Sequence, residues 1–250
     1  VEERGGEIKC HTHVYEILKE GKKAVGVRTN HGDFYADAIV DAAGSLSAQL
    51  GNAAGLYVPV KPRRGQVMVT EGLPHILSGV VSSASFFCAK FHPELMQLFD
   101  PRTVKLNYGT ALEQTNTGTM LIGATNEWTG YDNGTTIEGI EWVIHEACRV
   151  LPYLRNAHFI RTFSGLRPST PDHLPIVGAT SHLENYYLIT GFEGGGISLN
   201  PIVGKMLAEI ICGDEPCITN EPLRPDRIVK PLSEATAEEI AANLPEGVVR

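Results

Sequence analysis

Two short stretches of this chain hold the residue types from which an anion clamp beside a cofactor is built. The first is Gly165-Leu166-Arg167-Pro168-Ser169-Thr170-Pro171-Asp172, continued by His173-Leu174-Pro175-Ile176-Val177-Gly178. It sets one arginine between turn-forming residues, and a guanidinium is a planar fork that matches a carboxylate at two points. The second is Gly191-Phe192-Glu193-Gly194-Gly195-Gly196-Ile197. Before it, Asn185 to Thr190 has the aromatic and β-branched content of a short buried strand. After it, Leu199, Ile202, Val203, Met206, Leu207, Ile210 and Ile211 recur at helical spacing. The order is strand, glycine turn, helix. Amides in the first turn of such a helix, at the positive end of its dipole, favour an electron-rich ligand, and glycines let the backbone approach it. The same triple glycine also reads as a tight turn that binds nothing, and Arg167 as a domain-bridging ion pair.

Other chemistries have less to stand on. The five cysteines, Cys10, Cys88, Cys148, Cys212 and Cys217, include no C-x-x-C pair, so neither a disulfide framework nor a zinc site is expected. Cys212 and Cys217 read as a buried helix-end thiol and a loop thiol. The nine histidines form no metal-binding pattern, and no metal site is expected; His11 and His13 alternate on an expected strand. A net charge of −8 with scattered Lys and Arg gives no footprint for nucleic acid or an anionic membrane. No apolar run approaches the roughly 18 residues of a membrane helix, and no signal segment opens the chain. With 42% hydrophobic and 20% charged residues over 250 positions, a globular, cytoplasmic protein is expected.

The elements that must position Arg167 and the glycine turn can be laid out along the chain. A strand from Ile8 to Leu18, a second from Ala24 to Thr29 and a third from Phe34 to Val40 form a meander ending at Asp41-Ala42-Ala43-Gly44. Ser45 or Ser47 then caps a helix through Ala54. From Tyr57 the pattern is strands and turns: Gly65 to Glu71, Gly79 to Cys88, and a pair, Val104 to Gln114 and Thr119 to Thr125, around Thr115-Asn116-Thr117-Gly118. Thr135 and Glu138 make a capping box for a helix from about Thr136 to Val150, stopped by Pro152. Residues before about 56 and after about 165 are expected to share one domain, with the middle inserted. Past Arg227 a tail follows, with a short helix over Thr236 to Leu244 capped by Thr236 and Glu239.

Several motifs in this order resemble the D-amino-acid oxidase-like superfamily of FAD-dependent amine and amino-acid oxidoreductases, which spans glycine oxidase, sarcosine oxidase β subunit and proline dehydrogenase-like enzymes. They are Ile39-Val40-Asp41-Ala42-Ala43-Gly44, Arg63-Arg64-Gly65-Gln66, Leu121-Ile122-Gly123-Ala124-Thr125, the two stretches above, and Pro225-Asp226-Arg227. The resemblance implies an α/β (α+β) fold: a partial, Rossmann-like FAD-binding domain over residues 1–55 and 166–230, an inserted mixed or antiparallel β-sheet substrate domain over 56–165, and a tail over 231–250. It implies that Val14 meets the adenine through its backbone, that Ala43 and Gly44 pack near the adenosine half, and that Gly194, Gly195, Gly196 and Ile197 face the pyrimidine end of the isoalloxazine. Donors there would stabilise the negative charge that a hydride leaves on the flavin. Arg167 matches the arginine that binds the substrate carboxylate, the substrate being a small amino acid or amine.

The departures from the family carry expectations too. No G-x-G-x-x-G fingerprint occurs in the chain, and it begins at Val1 as if inside a domain. The expectation is a carboxy-terminal portion, poor at holding FAD by itself, completed by a missing N-terminal segment or by other subunits. Phe192 stands where many relatives carry His, Ser198 where sarcosine oxidase-like members carry a lysine, and no cysteine lies near Gly165, so the FAD is expected to be non-covalent. The competing expectation is a truncated, non-catalytic module that keeps the scaffold for packing or subunit association.

Overall fold

The computed structural model describes residues 1–243, and its contacts divide the chain into two units, residues 1–61 with 167 onward, and residues 62–166. The chain opens the first unit with an antiparallel meander of β1 (Val14–Glu20), β2 (Lys23–Thr29) and β3 (Gly32–Tyr35). The expected strand from Ile8 starts only at Val14, because His11 takes a φ of +55° and leaves extended conformation. His11 and His13 therefore share no strand face. The expected third strand is also divided: β3 ends at Tyr35, and β4 (Ile39–Asp41) leaves the meander for a different sheet. Helix α1 (Ser47–Ala54) starts with no side-chain cap, since the Ser47 hydroxyl donates to Asp41 at 2.9 Å instead, and it ends on Gly55 at φ +79°. The two-residue strand β5 (Leu56–Tyr57) follows.

The second unit is a five-stranded sheet with helices. In chain order it holds β6 (Lys61–Gly72), β7 (Val81–Ser82), α2 (Ala84–Phe91), α3 (Pro101–Lys105), β8 (Ala111–Gln114), β9 (Thr119–Gly123), α4 (Ile137–Val150) and β10 (Phe159–Ser169). The strand order is β10-β6-β9-β8-β7, with β6 and β9, β8 and β9, and β7 and β8 antiparallel. Two expected strands give way to helices. Gly79 to Cys88 keeps only Val81–Ser82 extended before α2, and Val104 falls in α3, where Asp100 accepts from the Arg102 amide at 2.8 Å and Pro101 opens the helix. The cap of α4 is Thr136, which accepts from the Gly139 amide at 3.1 Å, one residue past the expected box, while Glu138 pairs with Lys105 at 2.6 Å. The core is Met68, Tyr108, Leu112, Met120 and Ile122 against Trp142, Val143 and Leu154.

The chain then returns to the first unit through β11 (Ile176–Ala179), β12 (Tyr186–Thr190), α5 (Gly196–Cys212), β13 (Lys230–Pro231) and α6 (Ala237–Asn243). Strand β12 runs parallel to β4 and antiparallel to β11, and β13 pairs with β5. The apolar stripe of α5 buries Val203, Met206 and Leu207 with Val177, although Leu199, expected on that stripe, is exposed. Cys212, expected to be buried, is exposed at the helix end. A second core gathers Ile17, Ala24, Ile39, Val58, Ile176, Tyr186 and Leu188. In front of α6 the expected box forms: the Glu239 amide donates to Thr236 Oγ1 at 3.1 Å and the Thr236 amide to the Glu239 carboxylate at 2.8 Å. Leu244, the expected end of that helix, lies outside the described residues. No described helix is long and apolar enough to cross a membrane.

Candidate functional site

The two stretches singled out by residue type meet in the first unit. Strand β12 delivers the chain to Gly191, at φ +81°, where a Cβ would stand 2.6 Å from Thr170 Cγ2. That close approach seats the turn against the chain that follows β10. Two residues on, the Glu193 amide donates to the Pro168 carbonyl at 3.0 Å, tying the turn to the residue beside Arg167. Gly194 then takes a φ of +99°, and a Cβ there would lie 3.3 Å from both Cδ and Nε of Arg167. The half-buried arginine thus runs along a glycine whose missing side chain gives it room.

Beyond Gly194 the turn opens helix α5. Gly195 is its N-cap, its own amide donates to the Phe192 carbonyl at 2.7 Å, and no side chain caps the helix. The first-turn amides of Gly196, Ile197 and Ser198 are too early for intrahelical acceptors. Pro201 inside the helix also removes the amide that would serve the Ile197 carbonyl. Beside this turn lies a cavity of about 360 Å³ whose walls include Ala42, Gly44, Thr190, Phe192, Gly196 and Ile197. Ile197 is 93% exposed, an apolar side chain held in the open at the helix start. Across the cavity, Gly44 sits at φ +59° with no atom within 4 Å of its Cβ position, and its carbonyl accepts from Thr190 Oγ1 at 2.9 Å. Glycine walls, apolar flanks and uncapped helix amides together suit a flat ligand with an electron-rich edge.

Of the residues named from sequence, Gly44, Gly196 and Ile197 share this cavity, and Arg167 and Gly194 touch beside it. Ala43 is exposed one residue from the cavity wall, its amide turned back to Asp41 at 3.0 Å. Val14 is not among the lining residues; it opens β1, paired with Thr29, and packs half-buried on the core of the first unit.

Two supporting groups had no role in the sequence reading. Asp41 is fully buried at the end of β4 and accepts from the Ala43 amide, Ser47 Oγ and Tyr186 Oη at 3.0, 2.9 and 3.0 Å. Burial pushes its carboxyl above the usual range against the pull of those three donors. It fixes the loop that presents Gly44, and its signal was a carboxylate ending the apolar run Ile39-Val40. Asp172, after β10, is held by Arg227 Nε at 2.7 Å. Burial raises it, but the Arg227 hydrogen bond and the Leu174 amide outweigh that and hold it below the carboxylate range.

The Arg63-Arg64-Gly65-Gln66 motif lies in the second unit and makes a polar network. Arg64 reaches Glu127 at 3.1 Å and Asp132 at 2.7 Å, and Gln66 Nε2 donates to Glu127 at 2.7 Å while its Oε1 accepts from the Thr136 amide at 2.7 Å. Arg63 Nε donates to Asn126 at 2.7 Å, and its guanidinium lies over Trp128.

Known proteins resemble this chain over most of its length. A sequence profile described as DAO, FAD dependent oxidoreductase, matches residues 1–210. Hydrogen cyanide synthase subunit HcnC of Pseudomonas aeruginosa is 31% identical over 211 residues, 84% of this chain and 45% of that protein. Glycine oxidase of the same organism is 30% identical over 219 residues, 88% of this chain and 54% of that protein. The chain spans about half the length of these curated relatives. Among solved structures, L-proline dehydrogenase from P. horikoshii superposes with a TM-score of 0.77 at 26% identity, covering 90% of this chain and 56% of that one.

Proposed function

From the premise that the chain belongs to the DAO family of FAD dependent oxidoreductases, we propose that the protein oxidises a small amino acid or secondary amine of the glycine, sarcosine or proline kind. FAD is the cofactor of the family, and the groups present suit it: a glycine-walled, apolar cavity beside uncapped helix amides. When bound, FAD supplies the hydride acceptor. The chain's own residues bind and orient. In the turn over Gly194, Gly195, Gly196 and Ile197, the amides of Gly196 and Ile197 would donate toward the electron-rich edge of the ring and Gly194 and Gly195 would let the backbone approach it, while Ala43, Gly44 and the backbone at Val14 would serve the adenosine half. Arg167 grips the substrate carboxylate at two points, which turns the α C–H toward the ring and excludes other poses.

The observation that carries this reading is the 3.3 Å approach between Arg167 and the Cβ position of Gly194, which makes the anion clamp and the cofactor turn one structural unit. In this reading residues 1–55 and 166–230 serve FAD and residues 56–165 serve the substrate. The FAD is held without a covalent link and its site is completed by a dinucleotide-binding segment or subunit beyond these residues. That last part draws on the half-length match to relatives and on a sequence without G-x-G-x-x-G.

The test is an FAD titration of this chain alone and of the protein with the sequence that flanks it in its gene, followed by anaerobic addition of glycine, sarcosine or proline. Binding by the longer form and bleaching of its flavin band by one of the three supports the proposal. If no form takes up FAD, the non-catalytic module replaces it.

A further inference from the structure

Three residues other than glycine and asparagine hold a left-handed φ among the described residues: His11 at +55°, His173 at +58° and Glu193 at +49°. Such backbone is unfavourable for residues with a Cβ and persists where the surroundings impose it. His11 lies on an exposed stretch ahead of β1, but the other two face each other. His173 Nδ1–H donates to Glu193 Oε1 at 2.8 Å, and the Glu193 side chain is only 11% exposed.

The two loops they join are those that flank Arg167. Glu193 is bonded through its backbone to Pro168 and is followed by Gly194, the floor under the arginine's Cδ and Nε. The His173 loop is anchored independently. Asp172 is clamped by Arg227 Nε at 2.7 Å, Arg227 also donates to the Leu174 carbonyl at 2.8 Å, and Thr170 Oγ1 donates to that carbonyl at 2.9 Å. With the loop fixed from behind, the His173 contact pins the glycine turn to the loop. Two strained residues cross-linked beside a proposed substrate clamp are better explained by positioning than by packing, since His173 is two-thirds exposed and packs on little.

We propose that His173 and Glu193 are positioning residues that fix the Glu193-Gly194 backbone and thereby the reach of the Arg167 guanidinium, making this pair a determinant of carboxylate affinity. The inference rests on the role proposed above for Arg167. Removing the carboxylate lets Gly194 relax and the guanidinium drift, whereas an amide that still accepts from His173 keeps the latch.

The experiment compares Glu193→Ala, Glu193→Gln and His173→Ala in the intact, FAD-loaded protein, with glycine and proline as substrates and acetate as a dead-end carboxylate read by flavin absorbance. The expected result is a KM for the amino acid and a Kd for acetate about 3- to 10-fold higher in Glu193→Ala and His173→Ala, with kcat within about twofold and flavin content unchanged. Glu193→Gln should restore most of the affinity. The NMR signal of the Arg167 Nε–H, recorded in the same variants, should shift in both alanine variants and stay near its original position in Glu193→Gln. Unchanged Arg167 signals and unchanged constants would overturn the latch, as would losses fully accounted for by lost flavin or a lowered Tm. A shifted Arg167 signal in a protein that binds no acetate and oxidises no amino acid would keep the latch and overturn the proposed function instead.

Discussion

Arg64 and Arg167 stand one and two residues from a glycine on long strands, β6 and β10, and their sequence surroundings look alike. Their fates differ. The Arg64 side chain is 4% exposed and its two terminal nitrogens reach Asp132 and Glu127, with Gln66 and Thr136 extending the network. Arg167 is half-buried and lies along Gly194, a residue with no side chain, beside a turn whose amides no side chain caps. An arginine surrounded by matched acids builds structure, because its desolvation is offset within the protein. Arg167, proposed above as the clamp for a substrate carboxylate, is laid over a glycine next to helix amides that no side chain caps. The residues that distinguish the two come from distant parts of the chain: Glu127 and Asp132 in one case, Gly194 in the other.

The heaviest loss is expected at Arg64. Arg64→Ala should strand the Glu127 carboxylate and lower stability by about 3 kcal/mol, read as a reduced urea midpoint. A loss below about 1 kcal/mol would mean that the network is not structural. Arg167→Ala should do the converse, leaving the urea midpoint and bound flavin nearly unchanged while raising the KM for an amino acid about 100-fold in the intact enzyme. Loss of flavin there would assign Arg167 to structure beside Arg64.

Between these lies the turn itself. Gly191→Ala combines a φ of +81° with a Cβ placed 2.6 Å from Thr170 Cγ2 and should destabilise by about 2 kcal/mol, seen as a lower Tm. The same change at an exposed, unstrained position should be neutral. The smallest expected effect concerns acid. Burial pushes the Glu127 carboxyl up, but donors from Arg64, Gln66 and Thr125 outweigh it and its pKa lies below the usual value. A depressed pKa contributes stability above the unfolded-state value and loses it as pH falls through the folded one. The stability gap between wild type and Glu127→Gln should therefore narrow as pH drops below about 4.3, as urea titrations at several pH values would record.

Much of the candidate site was legible because its signals are local. Aromatic and β-branched residues before Gly191 give β12, helical spacing after Ile197 gives α5, and glycines mark the turn. The Thr236–Glu239 box is equally local. What was missed depends on contacts far along the chain. Phe34 to Val40 reads as one strand, yet β4 is drawn into a sheet by β12, nearly 150 positions on. Asp41 finds Tyr186 only once that sheet exists. Gly79 to Cys88 reads as a strand in a region of strands and turns, but Ser83 Oγ accepts from the Thr110 amide and α2 begins after it. The start of α3 carries a local sign, since Asp100-Pro101 is a helix start by residue type alone.

Arg167 and the Gly194 turn are proposed to form one site for a carboxylate beside the flavin. That proposal is tested most directly by anaerobic reduction of the FAD-loaded intact protein with matched pairs, glycine against methylamine and proline against pyrrolidine, in wild type and Arg167→Ala. Wild type should reduce its flavin far faster with the carboxylate-bearing partner, and Arg167→Ala should erase that preference while keeping its FAD. A preference that survives in Arg167→Ala would contradict the proposal.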